Sequence, residues 1–378
     1  MGSLDLSQLQ HLWWLLVSVV GALFIFLTFV QGGQGLLYSL AKTEVEKSLI
    51  INSLGKKWEL TFTTLVLFGG AFFAAFPLFY STSFGGAYWV WMLILFTFIL
   101  QAVSYEYRKK PDNLLGAKAF EVFLIINGTV GILLIGVAVG TFFTGSNFTL
   151  NDFNFVTWHH PGRGIEAAFS LFNLSFGLFL VFLARVLGSL YLTNNIEHAV
   201  INQRCKDAAF TNLLWALPFL LYVLISLLVM DGYAVDPNTH IVSLESGKYL
   251  TNLLALPVNG LSFLLIGLLL VVWGVAATRF MGSRKGIWPA GLGTVLVVLA
   301  IFAIAGYNNT AFYPSKVDLQ SSLTIYTASS SHYTLTVMSY IALAIPLVIG
   351  YVFYVWRLLD AKKLTEADIL VEGSQEKY

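Results

Sequence analysis

Apolar runs long enough to cross a bilayer recur nine times along this chain of 378 residues. They fall near 11–33, 58–80, 84–107, 118–143, 164–192, 208–230, 257–279, 286–306 and 333–357. A helix of about 20 apolar residues covers the hydrocarbon core. Away from water a backbone must satisfy its own N–H and C=O groups, which an α-helix does within one segment. The expected fold is therefore all-α: a polytopic membrane protein of nine transmembrane helices, forming a single integral-membrane domain over 1–378. Composition agrees, with 57% hydrophobic and only 11% charged residues, against about 25% charged in a soluble domain. Pro111 and Asn113 punctuate the end of the third run, Asp231-Gly232 and Asp236-Pro237 that of the sixth. Pro257 opens the seventh run and Gly282-Ser283 closes it.

The cations fall in alternate gaps. Lys42, Lys47, Lys56 and Lys57 lie between runs one and two, and Arg108, Lys109, Lys110 and Lys118 between three and four. Arg204 and Lys206 follow run five, Arg279, Arg284 and Lys285 follow run seven, and Arg357, Lys362, Lys363 and Lys377 follow run nine. Only Arg163, Lys248 and Lys316 lie on the other side, with Arg185 inside run five. The positive-inside rule puts the basic gaps in the cytoplasm, so the N-terminus is expected outside and the C-terminus inside. The loops at 144–163, 231–256 and 307–332 are then extracytoplasmic, polar and aromatic. The gap at 41–57 is expected to form a short amphipathic helix, because Leu49, Ile50 and Ile51 interrupt its charges. The first run lacks a positive n-region, so no cleavable signal is expected. A net charge of +1 gives nucleic acid no reason to bind. Trp13, Trp14, Trp58, Trp288 and Trp356 stand at predicted interfaces, where amphipathic rings collect.

The titratable residues limit the chemistry. Cys205 is alone, which excludes a disulfide within the chain and a Cys-rich metal site. His11, His159, His160, His198, His240 and His332 all fall in loops or at run ends, so none suits a haem within a helix bundle and no metal site is expected. Glu59 opens run two directly after Trp58, and Glu106 closes run three before Tyr107, Arg108, Lys109 and Lys110. Carboxylates at span ends are either solvated or turned to protein and water, where they serve proton relays. Glu121 and Glu166 lie near the ends of runs four and five. Arg185 calls for an ion pair or for snorkelling. Gln31-Gly32-Gly33-Gln34 reads either as a helix crossing with amides bonding across it or as a capped helix end. Gly69-Gly70-Ala71 reads as a small-residue packing face.

The chain resembles subunit II of the cytochrome bd family of quinol oxidases along nearly its whole length. The resemblance rests on Trp13-Trp14-Leu15-Leu16-Val17, on Ile51-Asn52-Ser53 leading to Trp58-Glu59, and on Gly69-Gly70-Ala71-Phe72-Phe73-Ala74-Ala75-Phe76-Pro77. It continues through Tyr105-Glu106-Tyr107-Arg108, Ser321-Ser322-Leu323-Thr324, Ala328-Ser329-Ser330, Thr334-Leu335-Thr336-Val337-Met338 and the tail Leu364-Thr365-Glu366-Ala367-Asp368-Ile369. It implies two four-helix bundles plus one peripheral helix, packed against a similar subunit I. That partner would carry haem b and haem d, take quinol as substrate and reduce dioxygen to water, in the bacterial plasma membrane. It also implies that Glu59, Glu106 and Lys110 form a cytoplasmic proton path, with Trp58 as a structural neighbour. Some relatives hold a quinone in this subunit, and small accessory subunits and membrane lipid are further candidate partners.

The chain departs from the family at two places. Gln31-Gly32-Gly33-Gln34 stands where many relatives have Asp-Gly-Phe-Asp, and Gln101 stands where they have an arginine. An acid cluster and a base are lost together. An alternative reading is a secondary transporter, but transporters place polar groups near the bilayer midplane, and this chain has little there beyond Arg185. A third reading is a scaffold without a proton role.

Overall fold

The computed structural model describes residues 4–371. Among them nine helices are long and apolar enough to cross a membrane: Leu6–Gly35, Glu44–Ala75, Tyr88–Tyr107, Ala117–Thr144, Leu171–Asn195, Ala199–Val229, Val258–Phe280, Ile287–Gly306 and His332–Leu359. These are spans one to nine of a multi-pass, all-α membrane protein. One end of the bundle carries the short basic gaps and the other the long loops.

Most spans begin and end within a few residues of their apolar runs; three begin elsewhere. Span two starts at Glu44, where Thr43 and Glu46 form a capping box, and is interrupted only at Lys56-Lys57. Its first stretch, Glu44–Gly55, is the helix expected in the 41–57 gap, but it is not amphipathic in use. Ser48, Leu49, Ile50, Ile51, Asn52, Ser53 and Leu54 are all buried, because span one, span five and the C-terminal helix Glu366–Val371 pack around it. Span five starts at Leu171, since Ile165–Phe169 winds as a 3-10 turn after Gly164 at φ 96°. Span six starts at Ala199, well before residue 208, with the His198 ring accepting from the Ile201 N–H as its cap. Its polar first turns extend the helix beyond the apolar run.

Spans one to four pack as one group and spans five to eight as another, and spans one and five join the two at the centre. A Cβ on Gly32 would lie 1.8 Å from Ala184 O, and one on Gly188 2.3 Å from Gly33 N. Backbones this close admit only glycine. Gln31-Gly32-Gly33-Gln34 is therefore a helix crossing and not a capped end. Span nine is peripheral: His332–Ala342 touches spans one and two, and Ile345–Leu359 has no buried residue. Gly69 faces the Phe84 ring, but Gly70 meets nothing within 4 Å, so only part of Gly69-Gly70-Ala71 packs inside this chain.

The loop-rich end is closed by aromatic packing and two small hairpins, Phe148–Leu150 with Val156–Trp158 and Gly232–Val235 with Val242–Glu245. Trp14 is fully buried among Phe72, Phe76, Phe302 and Phe312, and its Nε1 donates to Phe302 O at 3.0 Å. Trp13 and Trp58 are buried as well, whereas Trp288 is exposed. The first three tryptophans thus serve packing between helices, not an interfacial belt.

Candidate functional site

Spans two and three meet at the basic end through a stack of Trp58 on Tyr105, with ring centroids 5.7 Å apart and 12° between the planes. Glu59 and Glu106 are the next residues on each helix, and both are exposed. Each heads an exposed stripe at helical spacing. Below Glu59 come Thr63, Val66, Gly70 and Phe73; below Glu106 come Val103, Ile99, Phe96 and Met92. Lys110, also exposed, lies just past the end of span three, where its N–H donates to Tyr107 O. None of the three side chains makes an ion pair among the described residues. The structure thus puts the two acids on the outside of this chain, beside one aromatic stack, and does not join Lys110 to either.

Gln31, Gln34 and Gln101 are brought together in the interior. Gln31 Nε2 donates to Gln101 Oε1 at 3.4 Å, and Gln34 Nε2 donates to the Tyr105 hydroxyl at 2.8 Å. All three glutamines are 1% exposed or less. Gln31 and Gln101 are therefore in contact here through neutral amides. Arg185 is half-buried on span five, its guanidinium 5.7 Å from the Phe182 ring, with no ion pair among the described residues.

Two ionic clusters at the basic end went unread in the sequence. Glu121, 1% exposed, accepts from Arg108 Nη2 at 2.8 Å, Lys47 Nζ at 3.1 Å and the Tyr38 hydroxyl at 3.0 Å. Lys57, fully enclosed, donates to Asp360 Oδ1 at 2.9 Å and lies 5.0 Å from the Trp356 ring. Asn195 Nδ2 donates to the same oxygen at 3.1 Å and its Oδ1 accepts from Ser53 at 2.6 Å. Buried charges must be paired and hydrogen-bonded, and here the pairing ties span nine to spans two and five. The sequence held only one signal for these pairs, a Lys/Arg-rich end with interspersed acids.

The histidines are not placed to ligate a haem from facing helices of the bundle. The axial ligands of a haem are usually His, Met or Cys. His11 and His332 stand at the loop-rich ends of spans one and nine, His198 caps span six, and His159, His160 and His240 lie in loops. Among the described residues no group of three or more His, Cys, Asp and Glu is arranged to hold a metal ion.

The family model for cytochrome bd terminal oxidase subunit II matches residues 9–359. This chain belongs to that family. It is 28% identical to the cytochrome bd-I ubiquinol oxidase subunit 2 of Escherichia coli (strain K12), over 97% of this chain and 98% of the relative. It is 25% identical to the cytochrome bd ubiquinol oxidase subunit 2 of Bacillus subtilis (strain 168), over 93% of this chain and 97% of the relative. As a member of the subunit II family it is a component of an oxidoreductase complex containing haem and a partner subunit. The transporter reading finds no support.

Proposed function

We propose that this chain is the haem-free subunit II of a complex that oxidises quinol and reduces dioxygen to water. It would pack against a haem-bearing subunit I through the exposed stripes of spans two and three. The observation that carries this reading is the placement of Glu59 and Glu106. Each heads an exposed stripe that is apolar apart from Thr63. Carboxylates at the edge of a lipid-facing stripe are costly and turn to protein or water, so a protein partner or a watered seam fits them and bare lipid does not.

The haems, held by the partner, would supply electron transfer and oxygen reduction. The residues of this chain would handle protons. Lys110 at the mouth pairs with no acid among the described residues and leaves the approach open. Glu106 and Glu59, beside the Trp58–Tyr105 stack, would accept protons from the basic end and release them into the seam with subunit I. The basic end then faces the cytoplasm, in keeping with the lysine and arginine distribution. That orientation makes proton uptake for water formation contribute to the proton gradient.

The test is the pair Glu59→Gln and Glu106→Gln in the complex purified from its own membranes. Quinol-driven oxygen uptake should fall roughly tenfold or more, on the scale of a lost proton-transfer group, while the reduced-minus-oxidised haem spectrum stays unchanged. Full turnover in the double variant would leave the chain as a scaffold. A chain that purifies without a second large subunit and without colour would remove the complex altogether.

A further inference from the structure

We infer that the crossing of spans one, three and four encloses a cluster of bound water held by Gln31, Gln34, Gln101 and Asn127. All four side chains are essentially inaccessible, each 1% exposed or less. Each makes one hydrogen bond within the protein and leaves its other polar atom without a partner. Gln31 and Gln34 use their amide nitrogens, on Gln101 and Tyr105, and their Oε1 atoms are unmatched. Gln101 accepts from Gln31, and its Nε2 is unmatched. Asn127 Nδ2 donates to Thr97 Oγ1 at 3.3 Å, and its Oδ1 is unmatched.

The local fold turns these groups inward. Gln31 and Gln34 are one turn apart on span one, as Gln101 and Tyr105 are on span three. Asn127 opens a π-helical turn, Asn127–Gly131, in span four, and such turns redirect a side chain out of the regular helical register. A Cβ on Gly128 would lie 2.3 Å from Gln31 O, so span four comes against span one at this level.

Rotating the amides does not remove the deficit. Exchanging N and O in Gln31 or Gln101 would set two like atoms against each other, and turning Asn127 only moves the unmatched atom. With these amide orientations three acceptors and one donor remain in a region that lipid cannot solvate; turning Gln34 or Asn127 exchanges an acceptor for a donor and leaves the total at four. Water has the chemistry to match both kinds, whereas a bare cation would satisfy the oxygens and repel the Gln101 amide hydrogens. The Arg185 guanidinium adds to that repulsion: its Nε is also unmatched and lies 3.5 Å from a Cβ placed on Gly35, at the same crossing. One water has only a pair of hydrogens to give, so serving three acceptors takes more than one molecule. The cluster supplies the hydrogen bonds that the amides of this neutral crossing do not give one another.

The test is cryo-electron microscopy of the purified native complex at a resolution that shows ordered water. Density within hydrogen-bond distance of Gln31 Oε1, Gln34 Oε1 and Asn127 Oδ1 is expected. Amides bonded directly to one another with no density between them would overturn the inference, as would one density held only by oxygens at the short distances of a metal cation. An independent readout is infrared difference spectroscopy with H218O. Oxygen-18-sensitive bands of internal water should weaken in Gln31→Leu/Gln101→Leu, and bands identical to those of the parent complex would overturn it.

Discussion

The two ends of this membrane domain are closed by different physics. At the loop-rich end Trp14, Phe72, Phe79, Phe302 and Phe312 pack at tilted or edge-to-face angles, with Phe72 and Phe79 centroids 4.5 Å apart at 51°. At the basic end, the spaces between helices hold amides and ion pairs around Gln31, Glu121 and Lys57. Lipid is as apolar as phenylalanine, so the aromatic end gains packing contacts and little hydrophobic driving force. The polar end is held by groups that have no acceptable alternative in lipid, which makes it specific about its partners and intolerant of losing one of them.

The sharpest way to break this comparison is at the glycines. A methyl on Gly32 would meet Ala184 backbone at 1.8 Å, whereas one on Gly306 would meet the Trp14 ring at 2.3 Å. Backbone cannot step aside, so Gly32→Val should abolish assembly, read as loss of chain and haem from the membrane. Gly306→Ala should be tolerated better, because a ring can shift; equal losses would show the two ends to be equally rigid.

Removing one member of a buried ion pair comes next. Glu121→Leu takes from Arg108, side-chain exposure 1%, its carboxylate partner at 2.8 Å while Glu44 stays at 3.5 Å, and should cost up to about 3–5 kcal/mol. Arg108→Met with Glu121→Leu should recover part of that, since the buried guanidinium is gone and Lys47, which also loses Glu121, keeps Glu44 at 2.8 Å. Thermal unfolding of the purified complex measures both; a double variant no better than the single one would count against a pairing role.

At the aromatic end, Trp14→Phe keeps the ring but deletes the donor to Phe302 O. The loss should be about 1–2 kcal/mol, measured the same way.

The smallest effect is expected in the tail, outside both ends. Lys362 and Thr365 hold the Asp368 carboxyl down at about 2, below the ordinary aspartate value. A depressed folded value adds stability above the unfolded one, which is lost as pH falls from about 4 toward about 2. Proteolysis or amide exchange of Glu366–Val371 across that window should show the tail loosening before the spans do, and a tail whose protection ignores pH would exclude Asp368 as its anchor.

Much of the architecture was readable before any coordinates. Nine crossings and their approximate limits follow from hydropathy, which is a local property. The coupling of Gln31 to Gln101 was visible only as two simultaneous departures from a family pattern, and the structure shows them in contact. Arg108 with Glu121 and Lys57 with Asp360 were unreadable, because 303 residues separate the second pair and nothing local sets which helix faces meet. The helix Glu44–Gly55 is buried, not amphipathic, for a similar reason: span five and the tail, which with span one cover it, lie far along the chain.

The sequence by itself determined that the chain crosses a membrane nine times, with its cations collected at one end. Insertion is decided residue by residue, by the cost of placing each side chain in hydrocarbon. Only the tertiary structure decided which polar groups are enclosed and which, like Glu59 and Glu106, are turned outward. That choice depends on how each helix is rotated about its own axis, and rotation is set by glycine contacts and side-chain packing between segments far apart in the chain.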